Sequence, residues 1–270
     1  MRGPKNLIYR NSLGQEAVFD DETMYLESID MIGTPGIHTV ETLAFADGQQ
    51  TIAHQLGAKT IPCSFAIKCV ENVEWLKRKL TQIFSPLLSG TMEVITQFDR
   101  YEIDCYPLNI PTFKMAENDG VYRFDVDFIA DYPYWRVGDK KHISVPPGSG
   151  FTPLVSDCPF DIAPEIIIPG NAASSETFYN VYFTINGKGL YLYGTAGGTN
   201  RTFPIKINTL DYSITNANTG ENCNKFINAN YNVDELRIKY GNNKLQFAWH
   251  GGNSTEGAEV HYYKLSMGEM

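Results

Sequence analysis

The sequence predicts a mostly-β protein of two sandwich-like domains, with a single helix inserted in the first. Three observations carry this. Tyr (16) and Phe (15) are prominent in a 270-residue chain, Leu- or Ala-rich helical stretches are nearly absent, and Gly (23) and Pro (14) break the apolar runs. Aromatic and β-branched residues fit a pleated, half-buried surface, and Gly, Asn and Pro make the turns that join such strands. Several short segments also alternate apolar and polar residues with period two, the pattern of a strand with one face buried. A hydrophobic content of 43% against 20% charged residues is enough to bury a core in each domain.

The elements follow in order. Over residues 62–69, Cys63, Phe65, Ile67 and Cys69 fall on one face and Ser64 and Lys68 on the other. A helix is expected over 73–86. Asn72 stands at its N-cap and Glu74 lies in the first turn, near the positive end of the dipole. Val73, Leu76, Leu80, Ile83, Phe84 and Leu87 form its apolar stripe, and Pro86 and Gly90 end it. The run Lys77-Arg78-Lys79 sits within that helix and reads as its solvated face. Residues 92–98 and 100–105 form a hairpin turning at Asp99-Arg100. The strand at 122–128 sets Tyr122, Phe124, Val126 and Phe128 against Arg123, Asp125 and Asp127.

Gly138-Asp139-Lys140-Lys141-His142, and then Pro146-Pro147-Gly148-Ser149-Gly150, are polar and turn-prone. They predict a boundary: an N-terminal domain at 1–137, a linker at 138–150 and a C-terminal domain at 151–270. In the second part, strands are expected at 165–168, 179–185, 190–193, 203–207, 235–240, 244–249 and 260–265. Gly and Asn turns separate them with no helix between, the signature of an antiparallel sandwich.

Charge and cysteine usage narrow the function classes. The net charge of −9 opposes a phosphate backbone, which argues against binding duplex or RNA. Five cysteines (Cys63, Cys69, Cys105, Cys158, Cys223) with no C-x-x-C pair read as small buried hydrophobes in a reducing compartment. The start of the chain has no apolar run suited to a signal peptide, and no segment approaches the roughly 20 apolar residues of a membrane span. On this reading the sequons at Asn200 and Asn253 are chance matches.

The sequence carries no recognisable catalytic signature. No phosphate-binding loop, dinucleotide fingerprint or nucleophile elbow occurs, and Gly194-Thr-Ala-Gly197-Gly198 reads as a hairpin turn. The five histidines (His38, His54, His142, His250, His261) form no metal-binding motif, so neither a metal nor a cofactor is expected. Asp125 and Asp127 lie about 7 Å apart along one strand face, a spacing open to a carboxylate pair, but a charged solvent face is the stronger reading. Asp20-Asp21-Glu22 reads as an acidic loop. A sandwich-fold hydrolase or lyase would need an acid/base set that the sequence does not offer. Trp249, beside His250-Gly251-Gly252, together with Tyr191, Tyr193 and Tyr212, forms a candidate sugar-stacking platform, weighed against the ordinary aromatic content of a sandwich core.

The order of these signals resembles the distal tail protein family of siphophages. The resemblance is carried by Asp47-Gly48 ahead of the strand at 61–67, and by the helix running into Phe84-Ser85-Pro86 and Gly90. Tyr101 and Tyr106 before Pro111-Thr112-Phe113, and the strand at 121–130 entering Asp131-Tyr132-Pro133-Tyr134-Trp135, continue it. Ile207-Asn208-Thr209 and the segment from Leu236 to Leu245 extend it into the second part, whereas 171–200 does not align and Asn208 stands where the family often has Asp. The resemblance implies a non-enzymatic virion protein of the tail tip, assembled in the host bacterial cytoplasm. Its N-terminal domain would form a homo-hexameric ring, and its C-terminal domain would be a galectin-like sandwich facing outward. The implied partners are the tail tube protein, the hub, tail-associated lysin or fibre protein, and receptor-binding proteins, with no membrane insertion. DNA would only pass through the lumen, past a ring of −54, six times the charge of one chain. The alternative reading is a carbohydrate-binding sandwich that contacts host surface glycans.

Overall fold

A computed structural model describes residues 6–20, 22–42, 49–68, 71–115, 120–148, 150–170, 180–196, 199–228, 232–250 and 256–268. Cys69, Asp21, Asp47-Gly48, Gly197-Gly198, Gly251-Gly252 and the Asn253 sequon lie outside them. The chain divides into two compact units, residues 1–138 with 266–270, and residues 139–265.

The first unit contains β1 (Asn6–Asn11), β2 (Glu16–Phe19), β3 (Met24–Ile29), β4 (Gly36–Thr42), β5 (Gln49–Leu56), β6 (Lys59–Lys68), α1 (Val73–Ile83), β7 (Gly90–Ile95), β8 (Arg100–Pro107), β9 (Lys114–Met115), β10 (Val121–Ala130) and the start of β11 (Trp135–Val145). Strands pair in the order β2-β1-β7-β8-β10-β6-β3, all antiparallel, while β4 and β5 form a separate hairpin. Five strand spacings separate β2 from β6, so a flat sheet would put them roughly 24 Å apart. Yet the Phe19 and Phe65 rings lie 4.2 Å apart, and Tyr9 on β1 is 5.1 Å from Phe128 on β10. The sheet therefore folds over on itself around one aromatic core.

The alternating face predicted along β6 buries Cys63, Phe65 and Ile67, and β10 buries Phe124, Val126 and Phe128. Helix α1 contributes Leu80 and Ile83, with Phe84 at its C-cap, and Leu76 and Val73 pack against the same cluster. The helix is shorter than the expected 73–86. It ends at Ile83, and Leu87 is 92% exposed, because Pro86 stops the helical rotation that would have carried Leu87 round to the apolar stripe. Asn72 holds the N-cap position, but its side chain makes no capping bond. The hairpin at 90–107 turns through Thr96–Asp99, with its centre two residues earlier than expected and Arg100 already in β8, and Thr96 Oγ1 accepts from Phe98 N and Asp99 N. Trp135 lies in this core and donates to Met31 O at 3.1 Å.

The span expected as a linker from 138 is strand as far as Val145: β11 runs through the unit boundary, with Gly138 at φ +66°. Its polarity belongs to a strand exposed on both faces over residues 139–142 and not to a loop. The second unit adds β12 (Thr152–Ser156), β13 (Glu165–Ile168), β14 (Asn180–Ile185), β15 (Lys188–Leu192), β16 (Thr195–Ala196), β17 (Thr199–Asn200), β18 (Ile205–Asn208), β19 (Ser213–Asn216), β20 (Gly241–His250) and β21 (Ala258–Ser266). One sheet has the order β19-β18-β13-β21-β11, the other β12-β20-β14-β15. Ile166, Ile168, Ile205, Ile207 and Val260 are buried on the first, and Val181, Phe183, Ile185, Leu190, Leu245 and Phe247 on the second. The two apolar faces form a sandwich core.

Turn chemistry locks this unit. Asn186 (φ +55°) and Gly187 (φ +79°) make the two-residue turn between β14 and β15, both in the left-handed region such hairpins require. Asn243 is buried and closes the loop before it by accepting from Lys239 N and donating to Lys239 O. The strand expected at 235–240 is replaced by a 3-10 turn, Val233–Glu235, and a segment whose β-bridge is the isolated one between Ile162 and Ile238. Leu236 and Ile238 are both buried as the alternation predicts, but among the described residues their backbone belongs to no strand and meets Ile162 in a single antiparallel bridge. No helix among the described residues is long and apolar enough to cross a membrane, which leaves β-barrels unaddressed.

Candidate functional site

The four aromatics expected to form one platform are divided by strand register. Val181 on β14 pairs with both Trp249 on β20 and Leu192 on β15, so Trp249 shares the inward face with them. There it meets Phe247 edge-on at 5.5 Å and stacks near the Arg201 guanidinium at 5.7 Å. Arg201 is fully buried, donates to Pro169 O at 2.6 Å, and is pulled down to about 10 by that burial. Tyr191 pairs with Tyr182 on the opposite, outer face of the same sheet. Tyr193 follows two residues on, 37% exposed and edge-on to Tyr191 at 5.6 Å. Tyr212 is elsewhere, 54% exposed beside the β18–β19 turn at φ +60°, with Arg237 reaching its hydroxyl. Of the four, the fold brings together Tyr191 and Tyr193.

The carboxylates considered for acid/base work behave as strand-face groups. Asp125 Oδ1 accepts from Ser64 Oγ at 2.7 Å, and Asn109 brackets the strand by bonding to Asp125 O and Asp127 N. Two shallow cavities of about 450 and 540 Å³ open on the first and second units, and neither is lined by a histidine. The four described cysteines are buried and free, and burial pushes the Cys63 and Cys105 thiols well up, which leaves them inert.

Charge is most organised on the outer face of β7, β8 and β11. Arg136 forks onto Asp104 at 2.6 and 2.8 Å and reaches Glu102 at 2.7 Å, while Arg100 bridges Glu93 at 2.9 Å. Burial raises Asp104, but Arg136 and a bond from Thr91 outweigh it and hold the carboxyl below its ordinary range.

One cluster was not legible in the sequence. Glu259 and His261 lie two residues apart on β21, and the neighbouring strand β11 brings His142 to them. A carboxylate and an imidazole spaced two apart was the only signal, and without the β11–β21 pairing it pointed to nothing.

No family model matches the sequence, and no curated protein matches it. Solved structures do. The Dit protein of phage SPP1, described as a paradigm of the hub adsorption apparatus of phages infecting Gram-positive hosts, aligns with a TM-score of 0.67 at 12% identity. The alignment covers 96% of this chain and 99% of that one. This chain has the Dit fold. A chain of the phage P2 baseplate in its activated conformation with Ca aligns at TM-score 0.54 and 12% identity, over 97% of this chain and 98% of its own. Its Sr counterpart gives 0.52 at 12% identity, over 95% and 96%.

Proposed function

We propose that this protein is a non-enzymatic structural component of a phage tail tip. The observation that carries the reading is the end-to-end fold correspondence with SPP1 Dit, over 96% of this chain and 99% of that one. Fold alone does not fix function. The order of motifs in the sequence and the organised ion-pair surface on β7, β8 and β11 support the same reading. In this account six copies close into a ring, since a head-to-tail interface between identical chains is satisfied by cyclic closure. Residues 1–137 form the ring, and residues 151–270 face outward as a galectin-like sandwich. The ring joins the tail tube protein to the hub, lysin or fibre protein below and anchors receptor-binding proteins. Its place is the virion tail tip after assembly in the host cytoplasm, with DNA passing through an acidic lumen. Negative-stain images of the purified protein test this: annular particles with a central hole are expected, and dispersed globular particles at every concentration would refute ring closure.

A second reading draws on the outer aromatic face of Tyr182, Tyr191 and Tyr193, which suits stacking against a sugar ring. Titration with cell-wall glycans, compared with Tyr191→Ala and Tyr193→Ala, decides it. Saturable binding lost in both variants supports it, and no saturation refutes it.

A further inference from the structure

The structure assigns His142, Glu259 and His261 to a surface binding site for a divalent transition-metal ion of the zinc class. Ala258 and Val260 point into the sandwich core, which leaves Glu259 and His261 together on the outer face of β21. His142 sits on the adjacent strand, its ring centroid 5.0 Å from that of His261. Both Nε2 atoms are directed at one carboxylate: His261 lies 3.2 Å from Oε2 of Glu259, and His142 lies 3.9 Å from Oε1. A ligand atom from each residue lies within 4.8 Å of the other two. Zinc bound at about 2.0–2.1 Å by imidazole nitrogen and carboxylate oxygen needs its ligand atoms roughly 3.3 Å apart. Closing ligand atoms that lie within 4.8 Å of one another to that spacing takes shifts of no more than about 1.5 Å, within reach of a rotamer adjustment of the half-exposed His142 side chain.

The donor set fixes the class of ion. Two imidazoles and one carboxylate, with water completing a tetrahedron, suit Zn²⁺, Co²⁺ or Ni²⁺. Calcium and strontium would need six or more oxygens, which this face does not gather. Glu165, opposite His261 on β13, is not a further ligand, because its two oxygens hold Lys140 at 3.0 Å and Lys206 at 2.6 Å. Those two ammonium groups against one carboxylate leave a net positive neighbour, so the site binds more weakly than a four-ligand structural zinc centre. A bound ion would tie β11 to β21, and binding to the native state alone raises the melting temperature.

The test uses untagged, chelator-stripped full-length protein titrated with Zn²⁺ by calorimetry, with Co²⁺ absorbance as a second readout. One Zn²⁺ per chain, a four-coordinate Co²⁺ band and a rise in melting temperature are expected, with no rise in Ca²⁺ or Sr²⁺. His142→Ala and His261→Ala should each weaken binding at least about tenfold, as losing even a supporting residue of a metal site does. Glu259→Gln provides a third, isosteric variant. His38 and His54 are register partners on β4 and β5, outside this site, so His54→Ala is the control and should bind like the wild type. Absence of saturable Zn²⁺ binding would overturn the assignment. So would binding that survives both His142→Ala and His261→Ala, or that is lost in His54→Ala. None of these outcomes bears on the ring reading.

Discussion

Lys59→Met tests whether a buried ammonium pins the C-terminal stretch to the first unit. Lys59 is fully buried at the start of β6, and its Nζ donates to Met31 O at 2.6 Å and to Met267 O. Gly268 follows at φ +118°, so close to Met31 that a Cβ there would overlap its carbonyl oxygen. Burial, partly offset by Asp30, pulls Lys59 from 10.5 down to about 8. At about 1.4 kcal/mol per pH unit, this corresponds to about 3 kcal/mol. The sign follows from proton linkage. Below the native value the amine is charged in both states and the full cost is present. Between about 8 and 10.5 the unfolded chain keeps a proton that the native protein has released, so stability rises with pH. Free cysteine and tyrosine side chains of the unfolded chain ionise over the same range, which makes the difference between wild type and variant the useful quantity. From about pH 7.5 to about pH 9.5, wild type should gain about 2 kcal/mol on Lys59→Met in urea unfolding by linear extrapolation. A difference that stays constant across that range would refute the buried-ammonium account.

Four further outcomes follow. Phe84→Ala, in the ring cluster of Tyr9, Phe65, Phe124 and Phe128, should cost about 3–5 kcal/mol in chemical denaturation. Leu87→Ser, beyond the true helix end, should change stability by less than about 0.5 kcal/mol in the same assay. Asp104 is held low by Arg136, so its contribution is complete above the ordinary carboxylate range and lost as pH falls through its depressed native value. Its side chain is 63% exposed, so Asp104→Asn should remove no more than about 1 kcal/mol at neutral pH, and nothing at pH low enough to protonate it. Gly90→Ala, whose Cβ would come within 2.5 Å of Arg10 O across the β1–β7 pairing, should lower the melting temperature, whereas Gly14→Ala meets no neighbour and pays only for its positive φ.

Strands with clean alternation were legible because one buried face leaves a period-two trace: β6, β10 and β20 fall where that trace runs. The β1–β2 hairpin carries the same trace in Leu7, Tyr9, Ala17 and Phe19, but its turn is closed by Asn11 accepting from Leu13 N and Gln15 N, a side-chain device with no strong sequence mark. Segment 235–240 shows the reverse, alternation without a partner strand. The helix ends at Ile83, short of its apolar stripe, because a stripe can continue past the residue where the backbone stops being helical. The site residues were least legible. Whether Trp249 lies beside Tyr191 depends on which residue of β14 faces each, and that register is a property of pairing and not of either strand alone. The same holds for His142, which meets Glu259 and His261 only once β11 lies beside β21.

The central claim is that identical chains close into a ring, and the mass of the purified protein in solution tests it most directly. Light scattering over a concentration series should find a species near six times 30.3 kDa, about 182 kDa, or a dimer of such rings. A single species of 30.3 kDa at every concentration would contradict the account.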